Sequence, residues 1–212
     1  MNQTLLITRP NYDEATTYLF HWSKPVIKLV KKKGNRVVDL AGKKVNRKEF
    51  IGRLKKISPD FLFLNGHGNQ TTIFGQDNEA LLTTKDKLKA LKKLIIYSRS
   101  CNCASLLGPH CLNNGAKAFI GYKQPFIFIY NPSLSTRPLT DSLAELFLNP
   151  SNIVITTLLK GQPPEEADKR SKKAFQKNIQ KLLTSETPKE YSAAIRFLFW
   201  DMKHQVCLKK EE

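Results

Sequence analysis

Residues 61–68 read FLFLNGHG and residues 94–108 read LIIYSRSCNCASLLG, and these two stretches decide the fold. Each begins as a short block of large apolar residues, 61–64 and 94–97, and stops abruptly at small and polar ones. Blocks so short and so apolar, bounded by turn-formers or charge, have the character of parallel strands covered on both faces. Residues 5–7, 37–40 and 118–122 have the same character, giving five strand candidates. Helical spacing lies between them. Ala15, Leu19, Trp22, Val26 and Val30 recur at intervals of three and four. Phe50, Leu54 and Ile57 do the same, with Asn46 placed to cap that helix. Strand alternating with helix predicts an α/β fold, a mostly parallel sheet with helices on both faces.

Beyond about residue 137 the pattern turns helical, with candidates at 138–148, 152–159, 163–183 and 189–199. Pro163 and Pro164 suit a first helical turn, and Glu165 and Glu166 suit the positive end of its dipole. A short apolar end at 206–208 would add an edge strand. Residues 123–137, KQPFIFIYNPSLSTR, fit no regular element and read equally as a strand over 126–130 or as a mobile loop carrying apolar side chains over a cleft. No linker-like stretch interrupts the 212 residues, so one domain is expected, with a core over about 1–160 and a helical part over about 161–212. A chain of this size buries roughly 70% of its unfolded surface and needs no staples.

Lysine and arginine number 35 against 18 acidic residues, a net charge of +17. Charge of that size draws any anionic partner. The lysines, however, are scattered as pairs and triplets (31–33, 43–44, 55–56, 92–93, 172–173), the pattern of a solvated surface. No nucleic-acid-binding motif is present, nor the interleaving of aromatic and basic residues that reads single strands. The N-terminal MNQTLLI lacks the charged and apolar regions of a signal peptide, and no apolar run approaches the ~20 residues that span a bilayer. A reducing cytoplasm is therefore expected, where Cys101, Cys103, Cys111 and Cys207 are thiols.

In open parallel sheets chemistry collects at the carboxyl ends of the strands. The strand at 61–64 runs into Asn65-Gly66-His67-Gly68, and that at 94–97 into Ser98-Arg99-Ser100-Cys101-Asn102-Cys103. If the two are neighbours, His67 and Cys101 face each other as acid/base and nucleophile. The glycines flanking His67 let backbone approach a substrate and present an amide to a developing oxyanion. Zinc is the competing use of Cys101, Cys103, Cys111, His110 and His67, but their spacing matches no familiar ligand set, and no metal is expected.

An apolar strand ending in His-Gly, followed by one ending in Ser-x-x-Cys and small residues, resembles the caspase-like cysteine peptidases: caspases, metacaspases, gingipains, separases and the bacterial CHAT domains. The segments at 61–68, 94–108 and 113–122 (NNGAKAFIGY) occur in the family's order, and the resemblance is closest to the CHAT-like branch. It covers residues 1 to about 160 and implies a three-layer α/β/α sandwich. By this resemblance His67 protonates the leaving amine, Cys101 is the nucleophile with Cys103 as its rival, and the amides of Gly68 and Cys101 form the oxyanion hole. The position two before the cysteine, acidic in the metacaspase pattern, is Arg99 here. Pointing into the S1 pocket it would reject basic P1 residues; turned outward, or paired with a carboxylate, it would do neither. Residues 126–130 resemble the cleft-lining loop, with Tyr122 and Phe126 as wall residues, although Tyr122 also suits the core. No cofactor is implied. The expected partners are a protein or peptide substrate, acidic by charge complementarity, an activating protein, and a second copy in a homodimer. Bacterial relatives suggest regulated proteolysis in defence or death pathways. The alternatives are a catalytically silent caspase-like interaction module and a basic nucleic-acid-binding protein.

Overall fold

The computed structural model describes residues 3–184 and 188–210. Five parallel strands, β1 (Thr4–Arg9), β2 (Arg36–Ala41), β3 (Phe61–Asn65), β6 (Ile95–Arg99) and β7 (Ala118–Tyr122), form one sheet with β8 (Gln205–Lys209). The order is β2-β1-β3-β6-β7-β8, with β8 antiparallel to β7 at the edge. A small hairpin, β4 (Thr72–Phe74) with β5 (Ala80–Thr83), stands apart from the sheet. Its two strands, of three and four residues, are too short to have been recognised in the sequence.

Side chains alternate strictly through the sheet. Leu5, Ile7, Phe61, Phe63, Tyr97 and Ile120 enter one core, packed beneath α1 (Glu14–Trp22), α2 (Lys24–Lys32), α5 (Ser142–Leu158), α6 (Pro164–Leu182) and α8 (Ala194–His204). Leu6, Leu62, Leu64, Ile96 and Phe119 enter the other, against α3 (Arg47–Ile57), α4 (Leu107–Asn113) and the hairpin. The inner strands β1, β3, β6 and β7 are buried on both sides because each side meets a layer, which makes the three-layer α/β/α sandwich; the edge strands β2 and β8 are partly exposed.

Three local departures have physical causes. The periodic stretch from Ala15 to Val30 is two helices, because Pro25 fixes the first turn of α2 and Ser23 Oγ donates to Leu19 O at 2.6 Å where α1 ends. The separate candidates at 138–148 and 152–159 are one helix, α5, which passes through Pro150 after a single 3₁₀ turn at Pro138–Thr140. Pro150 has no N–H to give Leu146 O, and Asn178 Nδ2 of α6 donates to that carbonyl instead at 2.8 Å. The candidate at 189–199 divides into α7 (Lys189–Ser192) and α8. Asn46 caps α3 as its type suggests, accepting from Glu49 N at 2.9 Å.

Candidate active site

The paired register of β3 and β6 ends at Asn65↔Arg99, and His67 and Cys101 each lie two residues beyond it. The two loops therefore leave the sheet at one level and on adjacent strands. Gly66 turns the first loop at φ +138°, where a Cβ would stand 2.5 Å from Phe74 O. At Gly68 an added Cβ would lie 2.7 Å from Ser100 Cβ and 3.2 Å from Cys101 O. Only glycine lets the His loop rest on the Cys loop so closely. Among the described residues, neither the Gly68 nor the Cys101 amide donates to a backbone carbonyl.

His67 is held by a residue that the sequence reading did not single out. Asp13, the N-cap of α1, lies at the carboxyl end of β1, next to β3 in the sheet. Its Oδ2 accepts from His67 Nε2 at 2.6 Å while Oδ1 accepts from Thr16 N at 2.8 Å. Burial pushes the Asp13 carboxyl up, but hydrogen bonds from the Thr16 amide and hydroxyl and from His67 together outweigh it, so the acid stays ionised below its ordinary range. A carboxylate on Nε2 leaves Nδ1 as the free nitrogen of the ring. Tyr12 meets the imidazole edge-on, with centroids 6.1 Å apart.

Cys101 is half-buried, and its thiol donates weakly to Phe126 O at 3.9 Å. Burial raises its pKa, partly offset by the backbone at Phe126, and the charge of Asp201 raises it further. Cys101 thus rests as a thiol. Asn102, at φ +58°, turns the chain immediately after it. Cys103 is 0% exposed, its pKa pushed up to about 11 by burial, with Sγ bonded to Ser100 O at 3.1 Å. Of these two thiols only Cys101 reaches solvent.

Three weaker expectations are corrected by where the side chains point. Arg99 shares the face of Tyr97 along β6, and that face is the core beneath α1 and α5. The guanidinium is 1% exposed, and it donates to Asn65 Oδ1 at 2.7 Å, Ser23 Oγ at 2.9 Å and Asn152 Oδ1 at 3.1 Å, with Phe63 4.7 Å beneath it. Arg99 therefore neither lines a pocket nor turns outward nor meets a carboxylate; burial among neutral partners lowers its pKa to about 10. Tyr122 is fully buried, its hydroxyl donating to Gln205 Oε1 at 3.1 Å, so it packs the core and forms no cleft wall. The Phe126 ring is 8% exposed and packs on Tyr122 at 4.7 Å, and it is the Phe126 carbonyl that meets Cys101.

Residues 125–130 form no ladder. They lie as an irregular strap across the site, tied to α8 by Trp200 Nε1 donating to Pro125 O at 3.0 Å and Ile127 N donating to Asp201 Oδ1 at 3.0 Å. Asp201 is wholly buried, its other oxygen has no hydrogen-bond partner among the described residues, and burial raises its pKa well above the ordinary value. At the far end Tyr130 bonds Glu14.

The cysteines and histidines do not converge. Cys103 and Cys111 are core residues and His110 Nε2 lies 2.7 Å from Asp86 O. Among the described residues, no three His, Cys, Asp or Glu side chains are grouped to hold a metal ion, and no helix is long and apolar enough to cross a membrane.

No family model and no curated protein sequence matches the chain. In structure it is similar to the Arg-specific cysteine proteinase gingipain R, with a TM-score of 0.61 at 10% sequence identity. The match covers 98% of this chain and 46% of that one, so the chain spans just under half of its structural relative's length. At that identity the likeness is one of fold, and the fold is the caspase-like one.

Proposed function

We propose that the chain is a cysteine peptidase in which Cys101 attacks a peptide carbonyl and His67, steadied by Asp13, moves the protons. The observation that carries this reading is the convergence of the two loops. His67 and Cys101 stand two residues past one register pair, Gly68 rests on Ser100 and Cys101, and His67 is bonded to a carboxylate. As Cys101 Sγ bonds to the carbonyl carbon, its proton passes to His67 and the amides of Gly68 and Cys101 receive the oxyanion. His67 then protonates the leaving amine, and water cleaves the resulting thioester with His67 as base. Because the half-buried resting thiol is bonded to the strap, substrate displaces Phe126 O from it before attack. The same proposal places the chain nearest the CHAT-like branch, in regulated proteolysis.

The test is digestion of a mixed-sequence peptide library, read by mass spectrometry, with wild type beside Cys101→Ala, His67→Ala and Cys103→Ala. Cleavage lost in the first two and kept in the third is the expected result. Loss in Cys103→Ala alone would move the nucleophile. Absence of cleavage by wild type, together with no alkylation of Cys101 by iodoacetamide, would favour the silent interaction module.

A further inference from the structure

At the end of the sheet opposite Cys101, the parallel strands, β1, β3, β6 and β7 among them, begin, and the antiparallel β8 ends. Two adjoining recesses, of about 1120 Å³ and 450 Å³, meet there and share Gln3, Phe61, Lys93, Ile95 and Lys117. Topology concentrates charge at this point. The residues entering β6 and β7 and those leaving β8 are lysines, so Lys89, Lys92, Lys93, Lys117, Lys209 and Lys210 line one furrow. Two carboxylates face them. Glu165 is bonded to Lys209, and Asp60 Oδ2 accepts from Thr4 N at 2.7 Å. Among the described residues, the other five lysines form no ion pair. Lys93 is moreover held in the left-handed region, φ +67°, by its amide bond to Gly115 O at 2.8 Å.

We propose that this furrow binds an acidic polypeptide segment of a partner protein, at the end of the sheet away from Cys101. Five unpaired ammonium groups around the two adjoining recesses create a local positive potential that exposed acidic residues elsewhere do not cancel. The floor between them is apolar, formed by Ile95, Leu158 and Pro163. A chain carrying apolar side chains between its carboxylates fits such a surface. A nucleic acid fits it less well. Phe61, the aromatic residue of the floor, is only 5% exposed and offers no face on which a base can stack. The proposal does not depend on the peptidase reading.

The test uses the full chain carrying Cys101→Ala, so that cleavage cannot confuse binding. The probe is a short fluorescein-labelled peptide alternating Glu and Leu, titrated by fluorescence anisotropy at several salt concentrations. The expected result is saturable binding that weakens with salt and falls roughly ten-fold or more in Lys93→Glu/Lys117→Glu, each reversal replacing attraction by repulsion. Lys43→Glu/Lys44→Glu, the same change of charge beyond the carboxyl end of β2, should bind as well as the parent. Circular dichroism shows that both variants are folded. Equal loss in the two variants, or none in the first, would overturn the proposal. So would a single-stranded oligonucleotide of matched charge that binds more tightly and is the ligand lost on Lys93→Glu/Lys117→Glu.

Discussion

At the scale of single residues, Asp13 and Arg99 show how position overrides type. Asp13 heads a helix in a capping box with Thr16, a role its neighbours in the sequence disclose. Its contact with His67 depends on β1 lying beside β3, a pairing of segments more than fifty residues apart, and no local pattern announces it. Asp13→Asn keeps an excellent N-cap residue but removes the carboxylate beside His67. The thermal midpoint should hold, while kcat falls about ten-fold or more with KM little changed, since positioned acid–base catalysis supplies ~100-fold or more. Peptide kinetics beside a melting curve decide it. Arg99 invites the opposite error. Its place two before Cys101 suggests substrate, whereas its parity along β6, shared with Tyr97, points it inward. Arg99→Lys substitutes a point donor for a planar fork and strands acceptors on Asn65, Asn152 or Ser23, at ~1–3 kcal/mol each. The midpoint should drop by several degrees, at about 2–4 °C per kcal/mol for a chain of this size. The residues found at P1 in the peptide library should not change; an altered P1 preference would return Arg99 to the pocket.

Among the elements, those defined by apolar periodicity were legible and those defined by their partners were not. The five parallel strands announce themselves as short apolar blocks, and α3 because Asn46, Phe50 and Leu54 fall where a capped amphipathic helix needs them. The passage of α5 through Pro150 was hidden, since a carbonyl on its own helix is satisfied by Asn178, nearly thirty residues later, on another. The strap at 125–130 was legible only as one of two equal readings, a strand or a loop, for the same reason. Its amide and carbonyl groups are met by Trp200 and Asp201 of α8 instead of by a strand. The Asp201 anchor carries a pH signature. Burial raises the folded pKa above the unfolded one, so this contribution to stability is complete below the ordinary carboxylate range and is lost as pH rises through the folded value. Asp201→Asn keeps an oxygen for Ile127 N and removes the titrating group. Differential scanning calorimetry from pH 5 to 8 should show a midpoint that declines for wild type and stays flatter, and higher at pH 8, for the variant.

For the whole molecule the dominant feature is +17 of net charge, spread over the surface yet concentrated at the amino end of the sheet. Self-repulsion of that size opposes the compact state, and salt relieves it. Raising salt from about 0.01 M to 0.15 M shortens the Debye length from ~30 Å to ~8 Å. The melting midpoint should therefore rise across that range, and a flat or falling midpoint would mean that favourable ion pairs such as Arg9–Asp39 and Arg47–Asp86 outweigh the repulsion. By itself the sequence determined the fold class and marked His67 and Cys101 as the candidate pair at the ends of two strands, because short apolar blocks and the residues that stop them are local properties. Tertiary structure alone decided that Asp13 meets His67, that Arg99 turns into the core, that residues 125–130 lie as a strap over Cys101, and that scattered lysines gather in one furrow. Each of these depends on which strands lie side by side and in what register, and sheet pairing is a property of distant segments that no single stretch contains.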